Sequence, residues 1–470
     1  MERLEPLRSS LEIIPAPDVA LAPEKEIFRT LSAPVTVQWE LTPWCNEKCV
    51  HCYNYWRKSS DIPKNPIGEH TTKAYSSAVD EIIRNRVFHA TITGGEPLGV
   101  LKNALPHLRR LSESGVSLDF NTNLTMFSKE TADTLRLIGV RSILTSLMAA
   151  DPELNDRLAG RRGTFEDVTR GIKLAKQEGF RVSVSMVITK GNLDQIFKTA
   201  EYAKRLGVDT FCVTKASIPI NAGDFSQLSI SKTEFRTMLS ELIRVKDELG
   251  LEIDTLVAPP LCFLDTDLFM KTFGHKSCSA GRATCTIGFD GAVRPCSQAD
   301  QSYGLVMDQG GLNKAWLNMK SWRTDKFIPE ECDDCRLVNM CRGGCRAEAY
   351  AMSGSLEGVN PYATFSKDLP RSTGIPMAGL KSELQYQFDS RLRFRPEEFG
   401  GIIYLSPTKW FAVDHALYYF ALSVRNQSFS ISELASKLDS ELEGATRTAE
   451  LLLQKNIIEG KGVIKDGESN

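Results

Sequence analysis

The sequence has almost no net charge: 57 basic and 59 acidic side chains leave −2. A nucleic acid or another polyanion is therefore not an expected partner. No apolar run approaches membrane-spanning length, so no membrane partner is expected either. Residues 1–34, rich in Pro, Glu and Ala, lack a basic start followed by an apolar stretch, which argues against a signal peptide. A cytoplasmic location is the expectation. The chain does have twelve cysteines. In a reducing compartment they favour metal ligation over disulfides. At 470 residues the chain is too long for one ordinary core, and two or three domains are expected.

Three cysteines lie together in Cys45-Asn46-Glu47-Lys48-Cys49-Val50-His51-Cys52, spaced CX3CX2C. They follow residues 35–41, which read as a buried strand. A cubane [4Fe–4S] cluster usually takes four thiolates, so three on one loop leave one iron open. An open iron can bind a small molecule and pass it an electron. Two alternatives stand beside this. A zinc site prefers paired CX2C or Cys/His sets. His51 would be its fourth ligand, although its place beside Cys52 makes convergence awkward. Chance clustering is the other.

A second motif, Thr91-Ile92-Thr93-Gly94-Gly95-Glu96-Pro97-Leu98, follows a strand-like stretch at 87–93. Alone it reads as an ordinary strand-to-helix turn. Together, CX3CX2C and GGEP resemble the radical S-adenosylmethionine (radical SAM) superfamily. The resemblance implies that Cys45, Cys49 and Cys52 hold the cluster. It also implies that the amino and carboxylate groups of S-adenosylmethionine bind the fourth iron. Gly94 and Gly95 then let backbone approach the amino group and Glu96 helps hold it, with Pro97 following in the turn. His51 stands where the family often has an aromatic residue, and Tyr53 is the substitute aromatic wall.

From residue 35 to about 217, β-branched runs alternate with helical periodicity. Strands are read at 35–41, 87–93, 117–121, 142–147, 181–188 and 210–213. Helices are read at 70–85, 101–114, 129–137, 165–178 and 193–205. Gly139, Gly179 and Gly207 sit where helices should stop. The expected fold class is α/β, with a parallel sheet and helices outside. Six βα units match the partial (β/α)6, TIM-like barrel of the radical SAM family. Both motifs fall at the C-terminal strand ends, where parallel barrels build their sites.

Other strand ends carry candidate cofactor contacts. Thr122 and Asn123 follow the third strand, where the family places a Thr-Asn segment against S-adenosylmethionine; a simple polar turn is the alternative. Ser146 resembles the family's serine near the ribose and carboxylate. Arg157 and Arg161 resemble the segment whose arginine pairs with the carboxylate, a task that suits its bidentate fork. Arg161 is preferred; a solvated surface charge is the alternative. Thr189, with Lys190 and Asn192, and Val213 are candidates for the adenine pocket.

Past residue 218 the alternation weakens. A helix is expected at 232–249, and Pro259-Pro260 leads into a second cysteine region. Its spacing, Cys278-X12-Gly291-X4-Cys296 and then Cys332-X2-Cys335-X5-Cys341-X3-Cys345, resembles the SPASM domain, which holds auxiliary iron–sulfur clusters. Zinc ribbons are the alternative. The resemblance assigns Cys278, Cys285, Cys296 and Cys345 to one cluster, and Cys332, Cys335 and Cys341 to another. The family usually adds a final Cys soon after an Asp-Pro. Here the chain reads Asn360-Pro361-Tyr362-Ala363, and no Cys follows Cys345. The last cluster then has an open iron, takes a carboxylate such as Asp368, or is absent, so one or two auxiliary clusters are expected. Cys212 and Cys262 are left over. They read as buried thiols, with an unexpected ligand as the alternative.

The third region begins near Ser382. Residues 399–404 and 409–413 read as a hairpin around 405–408, followed by helices at 415–424, 432–438 and 444–455. This small winged-helix pattern resembles the PqqD-like recognition element of peptide-modifying enzymes, which binds a leader peptide by strand addition. A DNA-binding winged helix and a packing domain are the alternatives. The segment is not strongly basic, which counts against DNA.

The expected domains are an extension (1–34), a barrel (35–225), a bridging region (226–277), a SPASM domain (278–370) and a recognition domain (382–462). The resemblance implies an oxidoreductase that cleaves S-adenosylmethionine to methionine and a 5′-deoxyadenosyl radical. That radical takes hydrogen from a ribosomally made precursor peptide held by its leader. The product is a thioether or carbon–carbon crosslink, or an oxidised residue. An electron donor such as flavodoxin or ferredoxin is the other expected partner. Alternatives are maturation of a protein active-site residue, decarboxylation of a haem precursor, and a non-catalytic peptide scaffold. No side chain is singled out as a radical relay or general base.

Overall fold

Short runs of β-branched and apolar residues, each stopped by polar residues, set the strands. In the computed structural model they run from β1 (Ile14–Pro15) to β16 (Ile458–Lys461). The structure describes residues 14–15, 30–54, 56, 69–219, 225–265, 276–365 and 384–461. The chain forms two compact units: residues 23–371, and residues 1–22 together with 372–470.

The larger unit is built on one sheet. Its strands are β2 (Thr36–Glu40), β3 (His89–Thr93), β4 (Ser117–Asn121), β5 (Ser142–Ser146), β6 (Arg181–Ile188), β7 (Thr210–Lys215), β8 (Glu252–Asp254), β9 (Thr284–Ile287) and β10 (Val293–Arg294). Their order is β10-β9-β2-β3-β4-β5-β6-β7-β8. Every pairing is parallel except that of β10 with β9. The expected six-strand parallel array is present as β2 to β7, and the sheet continues on both sides. Val37, Trp39, Ala90 and Ile92 are fully enclosed, as residues of a sheet covered on its faces should be.

The covering helices are α1 (Glu69–Arg84), α2 (Leu101–Glu113), α3 (Lys129–Leu137), α4 (Pro152–Ala159), α5 (Thr164–Gln177), α6 (Ile196–Arg205) and α7 (Lys232–Leu249). Local chemistry fixes their starts. Asp151 caps α4 by accepting from Leu154 N, and Ser231 with Glu234 forms a capping box on α7. Two features differ from the sequence reading. α4 was not anticipated, because eight residues carry too little apolar period to register. The helix read at 193–205 opens instead as a 3-10 turn, Leu193–Gln195.

The smaller unit has a meander, β12 (Arg393–Glu397), β13 (Gly400–Ser406) and β14 (Lys409–Asp414), extended on its edge by β1. The meander contains the expected hairpin and adds a strand before it. Three helices follow, His415–Ser423, Ile431–Lys437 and Leu442–Gln454. A second sheet, β15 (Ser428–Phe429), β11 (Gln385–Phe388) and β16, was not anticipated. Phe388, Phe420 and Phe429 centre the core, with Phe388 stacked on Phe429 at 5.2 Å.

Candidate functional site

The first cysteine loop is clamped from two sides. On one, Gly95 N donates to Thr42 O (2.6 Å) and Glu96 N to Trp44 O (2.7 Å). On the other, Lys48 N donates to Ala159 O and Val50 N to Leu158 O, both at 3.0 Å, tying the loop to the end of α4. The contact explains the glycines. A Cβ on Gly95 would lie 1.9 Å from Trp44 O, and Gly94 has φ +134° with its added Cβ 2.6 Å from Thr42 O.

Glu96 joins the ends of β3 and β4. It is buried and accepts from Thr122 Oγ1 (2.6 Å), Asn123 N (2.8 Å) and Leu98 N (3.0 Å). A carboxylate has about four lone-pair sites, so about one remains for a ligand. Burial raises the Glu96 carboxyl to about 7 even though the three donors pull it down. Asn123 Nδ2 reaches Asn46 Oδ1 (2.8 Å) and Cys45 Sγ (3.9 Å). Gly94, Gly95, Glu96, Thr122 and Asn123 are thus brought together against the cysteine loop, and Pro97 opens the 3-10 turn after Glu96.

Cys45, Cys49 and Cys52 share one electrostatic environment. Burial, then Glu47, Cys52 and Cys45, hold the Cys49 thiol well above its usual range. Three thiolates beside a carboxylate need a positive centre between them, which an iron cluster provides. His51 is buried, is pushed down to about 4 by burial, and its Nδ1 has no hydrogen-bond partner. Among the described residues no three His, Cys, Asp or Glu side chains close tightly around one ion.

The remaining candidates divide. Ser146 is exposed at the end of β5. Thr189 is buried and donates from N (2.8 Å) and Oγ1 (3.1 Å) to Asn192 Oδ1, whose amide in turn holds Met148 O (2.9 Å). Val213 is enclosed within β7. Arg157 is exposed in the last turn of α4. Arg161, the preferred arginine, is committed to Asp167 (2.5 Å) beside Thr164 (3.4 Å). Tyr53 hydrogen-bonds Ser297, and burial holds its phenol up at about 12.

In the second cysteine region Cys345 lies within electrostatic reach of Cys278 and Cys296. Cys285 is buried in β9, and the charge bearing on it is Arg323. Cys278 opens on a cavity lined by Arg282, Arg342 and Arg346. Three mostly buried guanidiniums beside thiols suit an anionic group, since a buried charge needs a counter-charge. Cys332, Cys335 and Cys341 bear on one another, and Cys335 N donates to Cys332 O at 3.0 Å. Asp368 lies outside the described residues.

Sequence reasoning missed two buried ion pairs. Lys215, at the end of β7, meets Glu348, and the ammonium sits 4.6 Å from the Tyr362 ring centre. Asn360 Nδ2 holds the other Glu348 oxygen at 3.1 Å. Arg294 meets Glu40, the last residue of β2, whose carboxyl burial raises to about 7. Both pairs join residues more than a hundred positions apart, so no local signal marked them.

The Radical SAM superfamily profile matches residues 39–203. The chain carries a radical SAM domain. It is an enzyme, and its cofactors are S-adenosylmethionine and iron–sulfur clusters. An AdoMet-dependent heme synthase of Methanosarcina barkeri is 28% identical over 350 residues, covering 71% of this chain and 97% of that protein. The mycofactocin maturase MftC of Mycobacterium tuberculosis is 29% identical over 352 residues, covering 72% and 84%. The fold resembles Streptococcus suis SuiB bound to the precursor peptide SuiA. The TM-score is 0.55 with 19% identity, covering 70% of this chain and 76% of that one.

Proposed function

We propose that this radical SAM enzyme modifies a ribosomally made precursor peptide, bound through its leader by residues 382–462 acting as a PqqD-like recognition domain. The observation that carries the reading is the edge of β14. It already accepts a strand, with Ile14 opposite Ala412 and Pro15 opposite Phe411 in antiparallel register. An extended leader would use the same chemistry, main-chain hydrogen bonds to this edge, by taking the place of residues 14–15. Tethering there raises the effective concentration of the core residue at a weak site.

In this reading residues 35–225 are the barrel, 226–277 the bridge, 278–370 the SPASM domain and 1–34 an extension. Cys45, Cys49 and Cys52 hold the barrel cluster; Cys278, Cys285, Cys296 and Cys345 hold one auxiliary cluster; Cys332, Cys335 and Cys341 serve the other. When bound, the barrel cluster, given one electron, and S-adenosylmethionine would supply radical chemistry, a 5′-deoxyadenosyl group able to take hydrogen from the peptide. The protein's part is positional. Glu96 offers its remaining lone pair to the ammonium of S-adenosylmethionine, and Gly94 and Gly95 let the backbone come close. Thr122, Asn123 and Ser146 orient the polar end, with Arg157 as the arginine for the carboxylate because Arg161 is paired with Asp167. Thr189 and Val213 lie toward the adenine. The electron donor is a flavodoxin or ferredoxin, and neither nucleic acid nor membrane is a partner. Among the described residues no helix is long and apolar enough to cross a membrane.

Incubating the reduced enzyme with S-adenosylmethionine and candidate precursor peptides tests this by mass spectrometry. A peptide that loses the mass of two hydrogen atoms, and is no longer modified when residues 372–470 are deleted, supports the reading. Modification that survives the deletion contradicts leader capture. Haem-precursor decarboxylation is the second reading, favoured by the 97% coverage of the heme synthase. Release of carbon dioxide from the porphyrin precursor would select it.

A further inference from the structure

The sequence assigns the last cluster three thiolates. We infer that Cys262 is the fourth, joining Cys332, Cys335 and Cys341 from outside the cysteine-rich segment. The inference rests on the reading of those three as cluster ligands.

Cys262 sits in a single 3-10 turn, Leu261–Phe263, just after Pro259-Pro260. The turn is pressed onto the cysteine set, with Leu261 N donating to Cys341 Sγ at 3.2 Å. From the other side Thr364 N donates to Cys262 Sγ at 3.4 Å, and Thr364 Oγ1 donates to Cys262 O. Thr364 follows Asn360-Pro361-Tyr362-Ala363, the stretch where the SPASM pattern carries its last cysteine. The Cys262 sulfur therefore lies against the backbone that would otherwise have brought a cysteine to this cluster. Cys262 also lies within electrostatic reach of both Cys332 and Cys341.

The turn is held rigidly. Leu261 and Phe263 are fully enclosed, and Phe263 stacks on Phe235 at 4.9 Å. Tyr362 packs edge-on against Phe235 at 4.9 Å and donates from its hydroxyl to Ile230 O at 2.8 Å. Cys212, the other leftover, differs. It is buried in β7, its neighbouring charges are Asp254 and Lys276, and burial pushes its thiol up to about 12. It is a core thiol.

With no cysteine after Cys345, the fourth ligand thus comes from a turn some eighty residues earlier than Cys341. The cluster so completed has no open iron for substrate, and its place is in electron transfer.

The test uses the full chain, reconstituted anaerobically. Cysteines are alkylated with iodoacetamide before and after reconstitution and mapped by peptide mass spectrometry. Cys262 should become protected in step with Cys332, Cys335 and Cys341. In Cys262→Ala, Mössbauer spectra should show loss of one cubane, from about twelve irons to about eight, or its conversion to a three-iron species. Formation of 5′-deoxyadenosine from S-adenosylmethionine reports the barrel cluster separately. Cys262 that alkylates equally before and after, while the other three are protected, overturns the inference. So does a Cys262→Ala spectrum matching the parent. If none of the four is protected, both this ligand and the underlying cluster assignment fall.

Discussion

The barrel and the cysteine-rich segment each present three thiols that the sequence groups together, and the fold treats them differently. At the barrel, Cys45, Cys49 and Cys52 are surrounded by Glu47, Asn46 and Asn123, and the loop is stapled to the GGEP turn. The polar groups gathered there suit a small polar ligand at an open iron. At the second set, a remote turn brings a fourth sulfur beside Cys341. On the ligand assignments proposed above, the same three-cysteine arithmetic ends in an open site in one place and a closed site in the other. What decides is the nearby backbone, not the cysteine count.

The comparison can be broken most severely at Gly95. A side chain there collides with Trp44 O, so Gly95→Val should abolish 5′-deoxyadenosine formation while sparing the auxiliary irons, about eight of about twelve. Loss of all iron would mean that the two sites do not fold independently. Next comes the pair that ties β7 to the cysteine-rich segment. Lys215→Met leaves Glu348 buried and unpaired, which should cost about 3–5 kcal/mol of stability by denaturant titration. A loss below about 1 kcal/mol would show that the pair is replaceable.

Glu96→Gln keeps the shape of the barrel mouth and removes a charge. Losing a charged hydrogen-bond partner is worth about 1.5–3 kcal/mol, so kcat/KM for S-adenosylmethionine should fall about ten- to a hundred-fold. A change in iron content instead would reassign Glu96 to holding the loop. The smallest effect is expected at Arg161. Because Asp167 already occupies it, Arg161→Gln should leave KM for S-adenosylmethionine within about twofold and change stability by less than about 1 kcal/mol. A tenfold rise in KM would restore the arginine to the site.

Much of this architecture was legible in the chain. β4, β6, α3 and α7 match the periodicity residue for residue, because each is bounded by a cap or a glycine and carries a clean apolar face. The barrel mouth was legible because its chemistry is local: a cysteine loop and a glycine turn, each at a strand end. What escaped was long-range. β9 extends the sheet by placing Cys285 beside Val37, and no pattern in either segment foretells that. Arg294 reaches Glu40, and Lys215 reaches Glu348, only after the sheet has closed. Cys262 looked like a spare core thiol because Cys341, which its neighbour Leu261 contacts, lies eighty positions from Leu261, and Thr364 lies a hundred and two from Cys262. Asn46 was overlooked for another reason. It lies inside the motif, but its partners Asn123 and Thr125 come from β4's end.

The most direct measurement is the formation of 5′-deoxyadenosine by the reduced, reconstituted enzyme, compared with a variant carrying Cys45→Ala, Cys49→Ala and Cys52→Ala together. The account predicts 5′-deoxyadenosine from the parent, none above background from the variant, and a loss of about four irons. Equal 5′-deoxyadenosine from both would contradict the barrel-cluster assignment, and with it the radical chemistry proposed for this chain.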